Sequence, residues 1–171
     1  MDASLRRKTV AKIIEESTAP MSASTLAERL KVSRQVIVGD VALLRAQGHE
    51  ILATARGYTT ANLREENRYI GKVACWHKPE DTQVELNAIV DLEATVLDVI
   101  IDHDLYGQIA GQLNLKERKD VDSFLDRVKS SNDKLLADMT DGVHLHTIAC
   151  RDKTHFEQVH QALDSLGFIA Q

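Results

Sequence analysis

Residues 26–48 read Leu26-Ala-Glu-Arg-Leu-Lys-Val-Ser-Arg-Gln-Val-Ile-Val-Gly-Asp-Val-Ala-Leu-Leu-Arg-Ala-Gln-Gly48, and their spacing predicts two helices joined by a turn of about three residues. Ser22 is a good N-cap for the first, in which Leu26, Ala27 and Leu30 make an apolar stripe that ends at Lys31-Val32. Ser33 caps the second, where Ile37, Val41 and Leu44 recur at i, i+4 and i+7 toward a core and leave Arg34, Gln35 and Val38 on the open side. Gly48 stops it. Upstream, residues 5–17 place Leu5, Val10, Ile13 and Ile14 at helical spacing, with Arg6, Arg7, Lys8 and Lys12 on the remaining positions, and Thr18-Ala-Pro20 breaks the pattern. Downstream, residues 50–60 hold two strand-like runs around Arg56-Gly57, which reads as a β-hairpin.

A short helix, a tight turn and a second helix opening Ser-Arg-Gln form the helix-turn-helix pattern, whose second helix enters the DNA major groove N-terminus first. The hairpin supplies a wing, and the stretch resembles bacterial repressor modules. Arg34 and Gln35 are candidates for base edges, since a guanidinium forks onto guanine and a carboxamide onto adenine; Val38 shares their open side. Ser22 and Ser33, each at a helix N-terminus, are candidates for phosphate contact. Arg56 at the wing tip is a candidate for the minor groove or a phosphate. The competing reading is a three-helix bundle that binds protein.

Charge divides along the chain in a way that favours DNA. The net −5 of the 171 residues splits into +4 over residues 1–64 and −9 over residues 65–171. A basic module can approach phosphate while its acidic neighbour is repelled from it. With 43% hydrophobic and 27% charged residues the chain is expected to fold as a soluble protein of two small domains, 1–63 and 64–171. No apolar run approaches the roughly 20 residues that span a bilayer, so a cytoplasmic protein without membrane contact is expected. Cys75 and Cys150 read as core thiols rather than a disulfide framework.

From residue 67 the pattern becomes α+β. Strands are predicted over 69–77, 94–101 and 143–150, and helices over 79–91, 116–130 and 154–166, with Val121, Phe124, Leu125 and Val128 facing inward on the second. This describes an α+β sandwich. In Val143-His-Leu-His-Thr-Ile-Ala-Cys150 the period of two brings His144 and His146 to one face. His77 closes an earlier strand, and Glu85 follows eight residues on, in a helix that should pack back over it. Three nitrogens and one carboxylate make a possible site for Zn²⁺, Ni²⁺, Fe²⁺ or Mn²⁺. Two alternatives stay open: a pair of half-exposed polar histidines, or a mixed site that uses Cys75 or Cys150. His49, His155 and His160 are expected to be solvated. His103, between Asp102 and Asp104, reads as a ligand contact or an exposed ring.

With these residues in view, residues 4–170 resemble the nicotinate-responsive transcriptional repressors, whose C-terminal domain is called the three-histidine (3H) domain. The likeness rests on His77 with Glu85-Leu-Asn-Ala-Ile-Val-Asp91, on Leu97-Asp-Val-Ile-Ile-Asp-His-Asp-Leu-Tyr-Gly107, on Arg118-Lys-Asp-Val121 with Phe124, and on Gly142-Val-His-Leu-His-Thr147. It implies that His77, Glu85, His144 and His146 bind one transition-metal ion per chain. It also implies that nicotinate is the effector and that genes of NAD precursor uptake or synthesis are repressed. His103, Tyr106 or Arg118 are candidate orienting groups for that anion, and regulation at double-stranded operator DNA requires a homodimer, as helix-turn-helix repressors usually form. No enzymatic activity is expected. The other functions considered are a repressor that senses metal alone and a metalloenzyme tethered to DNA.

Overall fold

The computed structural model describes residues 2–60 and 68–171, which fall into two compact units, 1–65 and 66–171. The boundary expected between residues 63 and 64 lies outside the described residues. Among the described residues no helix is long and apolar enough to cross a membrane.

The first unit comprises α1 (Ala3–Glu16), α2 (Ala23–Leu30), α3 (Arg34–Ala46), β1 (Ile51–Thr54) and β2 (Gly57–Thr60). Side-chain oxygens of Asp2, Ser22 and Ser33 accept from backbone amides in the first turns of the three helices, satisfying donors that a helix start leaves unpaired. Lys31 ends α2 in the left-handed conformation, so α3 begins only three residues later. Val10, Ala11, Ile14, Leu26, Ala27, Ile37, Val41, Leu44 and Ile51 form the core. Leu5 departs from the expected stripe and is 56% exposed, because five residues carry it roughly 140° around the helix from Val10. The wing is held by a contact the sequence did not suggest: Met21 and Tyr58 exchange two backbone hydrogen bonds of 2.8 Å, tying β2 to the turn between α1 and α2.

The second unit carries an antiparallel four-stranded sheet in the order β3-β6-β4-β5, built from β3 (Tyr69–Trp76), β4 (Thr95–His103), β5 (Gly107–Leu115) and β6 (Val143–Cys150). Helix α4 (Thr82–Val90) follows a 3-10 turn at Pro79–Asp81; α5 (Arg118–Ser130) and α6 (Lys153–Ser165) complete the layer. Val73, Cys75, His144, His146, Ile148 and Ile101 are buried on the helix side of the sheet, together with Leu86, Ile89 and Leu163. On α5 only Val121 is fully buried; Phe124, Leu125 and Val128 are half-buried rather than inward. Strand β5 and a 3-10 turn at Leu136–Thr140 were not expected. Gly107-Gln-Ile-Ala-Gly-Gln has little apolar alternation because β5 is an edge strand buried only at Leu113 and Leu115.

Two irregularities place the functional side chains. The register of β4 skips between Val96, opposite Ile148, and Asp98, opposite Thr147, so Leu97 is bulged and the strand beyond is re-aimed. At the start of β6, Gly142 adopts φ +92, and a Cβ there would run into the His77 carbonyl. Gly142→Ala is therefore expected to destabilise the protein by about 1–3 kcal/mol, the usual cost of a strained backbone position. An unchanged chemical-denaturation midpoint would contradict this.

Candidate functional site

Helix α4 lays Glu85, 1% exposed, against the sheet, and three buried imidazoles converge on it. The Nε2 of His77 lies 2.7 Å from Oε2, that of His144 3.1 Å from Oε1, and that of His146 3.3 Å from Oε2. Two imidazoles come from alternate positions of β6 and one from the residue after β3, as the two-residue period requires. The rings of His144 and His146 sit 4.8 Å apart, those of His77 and His144 5.0 Å, each pair nearly perpendicular. Phe168 closes the cluster against His77, with ring centroids 5.2 Å apart.

The opposite nitrogen of each ring fixes its tautomer. Nδ1 of His77 is 2.8 Å from the Lys78 carbonyl, that of His144 2.8 Å from the Gly142 carbonyl, and that of His146 2.7 Å from the Asp98 carbonyl. Carbonyl oxygens only accept, so each Nδ1 carries a hydrogen; a neutral ring then turns an Nε2 lone pair toward a carboxylate that is itself acceptor-only, and a protonated ring donates to it. Three nitrogens and two oxygens thus face one another with little besides the weak thiol of Cys75 to donate. Such a cluster is stabilised by a cation, either protons on the rings or a metal ion. Nδ1–H bonds to backbone carbonyls are also what orient imidazoles that ligate metals. The donor set fits a divalent transition ion, which His77, Glu85, His144 and His146 could hold.

Proton affinities follow the same geometry. Burial alone would push Glu85 up, but the charge of His146 and the hydrogen bonds of all three imidazoles hold it well below its usual range. Burial likewise favours the neutral forms of His77 and His146, yet the hydrogen bond and charge of Glu85 raise both. Burial and the neighbouring Glu85 push the Cys75 thiol up.

Cys75 belongs to this cluster: donor atoms of Cys75, Glu85 and His144 all lie within 4.8 Å of one another. Cys150 is buried but pairs with Tyr69, at the far end of β6. His155, expected to be solvated, is buried; its Nδ1 accepts from the Arg151 amide and its Nε2 donates to the Leu92 carbonyl, so it anchors the start of α6. His49 and His160 are exposed. The expected effector groups do not join the imidazoles. His103 stacks on the exposed Tyr106 at the β4–β5 hairpin, with centroids 5.2 Å apart, and Arg118 forks onto Asp91 at 2.7 and 2.6 Å. Sequence reasoning missed Asp98, whose carbonyl holds His146 and whose Oδ1 takes the Thr147 amide at 2.9 Å. A backbone carbonyl leaves no signature in side-chain pattern.

In the first unit Arg34 and Gln35 are exposed at the start of α3, and Val38 is half-buried one turn on. Ser22 and Ser33 point their hydroxyls at their own helix N-termini. Arg56 is half-buried in the β1–β2 turn. Arg6 is not part of a free basic face: it forks onto the buried Asp40 of α3 at 2.6 and 3.2 Å, fixing α1 to the helix that carries Arg34.

The pKa directions predict how metal-free protein responds to pH. The raised values of His77 and His146 contribute stability that is complete below the ordinary histidine value of 6.5 and is lost as pH climbs through the raised values. Glu85 contributes above its ordinary 4.5 and loses this as pH falls through its depressed value. The groups facing them are His144, Cys75, Asp81 and Asp98. Thermal melts with excess chelator should show the highest Tm between these limits and a decline toward pH 9; a flat profile from pH 6 to 9 would contradict the ion-pair geometry.

Comparison with known proteins matches both units. The 3H domain model covers residues 70–171 and an HTH domain model covers residues 6–59. The chain is 39% identical over 158 residues to Transcription repressor NadR of Bacillus subtilis (strain 168), spanning 91% of this chain and 88% of that protein. It is 37% identical over 166 residues to Probable transcription repressor NiaR of Thermotoga maritima, spanning 97% and 94%. A helix-turn-helix joined to a 3H domain, shared with these relatives over nearly the whole chain, makes it a DNA-binding regulator rather than an enzyme: the chain belongs to the 3H-domain family, as a transcription repressor of the NadR and NiaR type.

Proposed function

We propose that this repressor holds one transition-metal ion at His77, Glu85, His144 and His146 and answers to nicotinate, controlling NAD precursor uptake or synthesis. The observation that carries the metal is the convergence of three buried Nε2 atoms on one carboxylate, with each Nδ1 already bonded to a backbone carbonyl. The resemblance to nicotinate-responsive repressors supplies the effector. Nicotinate is a planar anion with a pyridine nitrogen, and the net −9 of residues 65–171 offers it little attraction. When bound, a metal ion supplies positive charge and a coordination position for a carboxylate or ring nitrogen. Arg118 could orient the effector only by exchanging Asp91 for it, whereas the exposed Tyr106, stacked on the half-buried His103, offers a ring surface.

On the DNA side, α3 presents Arg34 and Gln35 to base edges, with Val38 beside them, while Ser22, Ser33 and Arg56 meet the backbone. Regulation requires that effector binding favour one arrangement of two such helices, so the acting species is a homodimer on a two-fold operator. A second reading, a repressor that senses metal alone, is favoured by the near-complete burial of all four ligands, which leaves an organic molecule little access.

Fluorescence anisotropy on the promoter of a niacin-uptake gene, with and without nicotinate and chelator, tests both readings. The proposal expects nicotinate to raise operator affinity only while metal is present; affinity that follows metal and ignores nicotinate supports the second reading and overturns the first. Arg34→Ala should cost about 1–3 kcal/mol at the operator and relax sequence preference. An equal loss on all DNA would make Arg34 a phosphate contact instead. His144→Ala with His146→Ala should abolish bound metal in elemental analysis, and a stoichiometric ion retained in that variant would overturn the ligand set.

A further inference from the structure

We propose that Cys75 is a further donor to the same ion, binding through Sγ as a thiolate and biasing the site toward soft, thiophilic metals. This deepens the metal reading above and rests on it. Cys75 lies directly opposite His144 in the β3–β6 ladder, as Val73 lies opposite His146, so its side chain shares the face of the imidazoles. It is 0% exposed, and unlike an ordinary core thiol it is surrounded by ligand-type atoms: its Sγ, a Glu85 oxygen and a His144 nitrogen lie within 4.8 Å of one another. Metal–sulfur bonds of about 2.3 Å and metal–nitrogen bonds of about 2.0–2.1 Å bring neighbouring donors to within roughly 3–4 Å of each other, also when the site expands to five donors. Small side-chain adjustments therefore suffice.

The second thiol is a built-in control. Cys150 stands on the same face of β6 but four residues beyond His146, roughly 13 Å along the strand. As the sulfur–metal bond forms, the thiol proton leaves to water, and sulfur donates the electron pair it shared with hydrogen. A site of imidazoles and one carboxylate accepts Mn²⁺ and Fe²⁺ readily; added thiolate shifts preference to Zn²⁺, Co²⁺ and Ni²⁺.

Cobalt(II) reports the bond directly. Full-length protein stripped with chelator and reloaded anaerobically with Co²⁺ should show visible d–d bands and a near-ultraviolet sulfur-to-cobalt charge-transfer band. Cys150→Ser should keep that band, which then belongs to Cys75, the one remaining cysteine of the sequence; this arm stands even if changes at Cys75 disturb folding. Cys75→Ser should lose the band, keep visible bands, and bind Co²⁺ and Zn²⁺ weaker by on the order of 10-fold or more, with Mn²⁺ changed less. Visible bands without charge transfer in the unaltered protein would overturn Cys75 as a ligand and leave the histidine–glutamate site standing. A band that survives Cys75→Ser would overturn it equally. Failure of the unaltered protein to take up Co²⁺ at all would overturn both this inference and the metal reading.

Discussion

Three buried imidazoles each give their Nδ1 hydrogen to a backbone carbonyl, and this fixes the chemistry of the second unit. Because Lys78, Gly142 and Asp98 take that hydrogen, the other nitrogen of every ring faces Glu85 and is an acceptor whenever the ring is neutral. Much of the surrounding fold serves these bonds. The bulge at Leu97 re-aims β4 where the Asp98 carbonyl meets His146, and Gly142 permits the close passage of β6 past His77. The Trp76 indole donates to the Asp141 carbonyl at 3.1 Å, holding the same turn from the other side. A cluster built of acceptors is unfavourable without positive charge, which protons on the rings supply and which, under the proposed function, a metal ion would supply in their place.

The two units rely on different kinds of interaction, and this governs what each can do. The first is an apolar core with capped helices, in which the buried Asp40 pairs with Arg6 and, more loosely, with Arg7. Its recognition helix is therefore held rigidly, leaving Arg34 and Gln35 exposed at a helix start. The second keeps polar groups at its centre, and the occupancy of that centre can change its stability. A regulator needs both: a stiff reader of DNA and a sensor whose state depends on what it binds.

The DNA-binding half was legible in the sequence because its signals are local. Ser22 and Ser33 cap as expected, the three-residue turn is in place, and Ile37, Val41 and Leu44 face the core. In the second half, the alternation of His144 and His146 and the position of Glu85 were readable, since one depends on strand period and the other on a helix following His77. What escaped depends on distant partners. Edge strand β5 buries too little to show a pattern, His155 looks polar until Leu92 accepts from it, and the carbonyl of Asp98 has no side-chain signature. The stripe of α1 was misjudged only at Leu5, where angular position rather than composition decides burial.

The central claim is that the three Nε2 atoms are held as metal-facing acceptors, and nitrogen-15 NMR of the histidine rings tests it most directly. In metal-free protein at high pH, His77, His144 and His146 should each appear as the Nδ1–H tautomer, and added Zn²⁺ should shift their Nε2 resonances while leaving those of His49 and His160 in place. An Nε2–H tautomer at any of the three, or Nε2 resonances indifferent to the ion, would contradict the account.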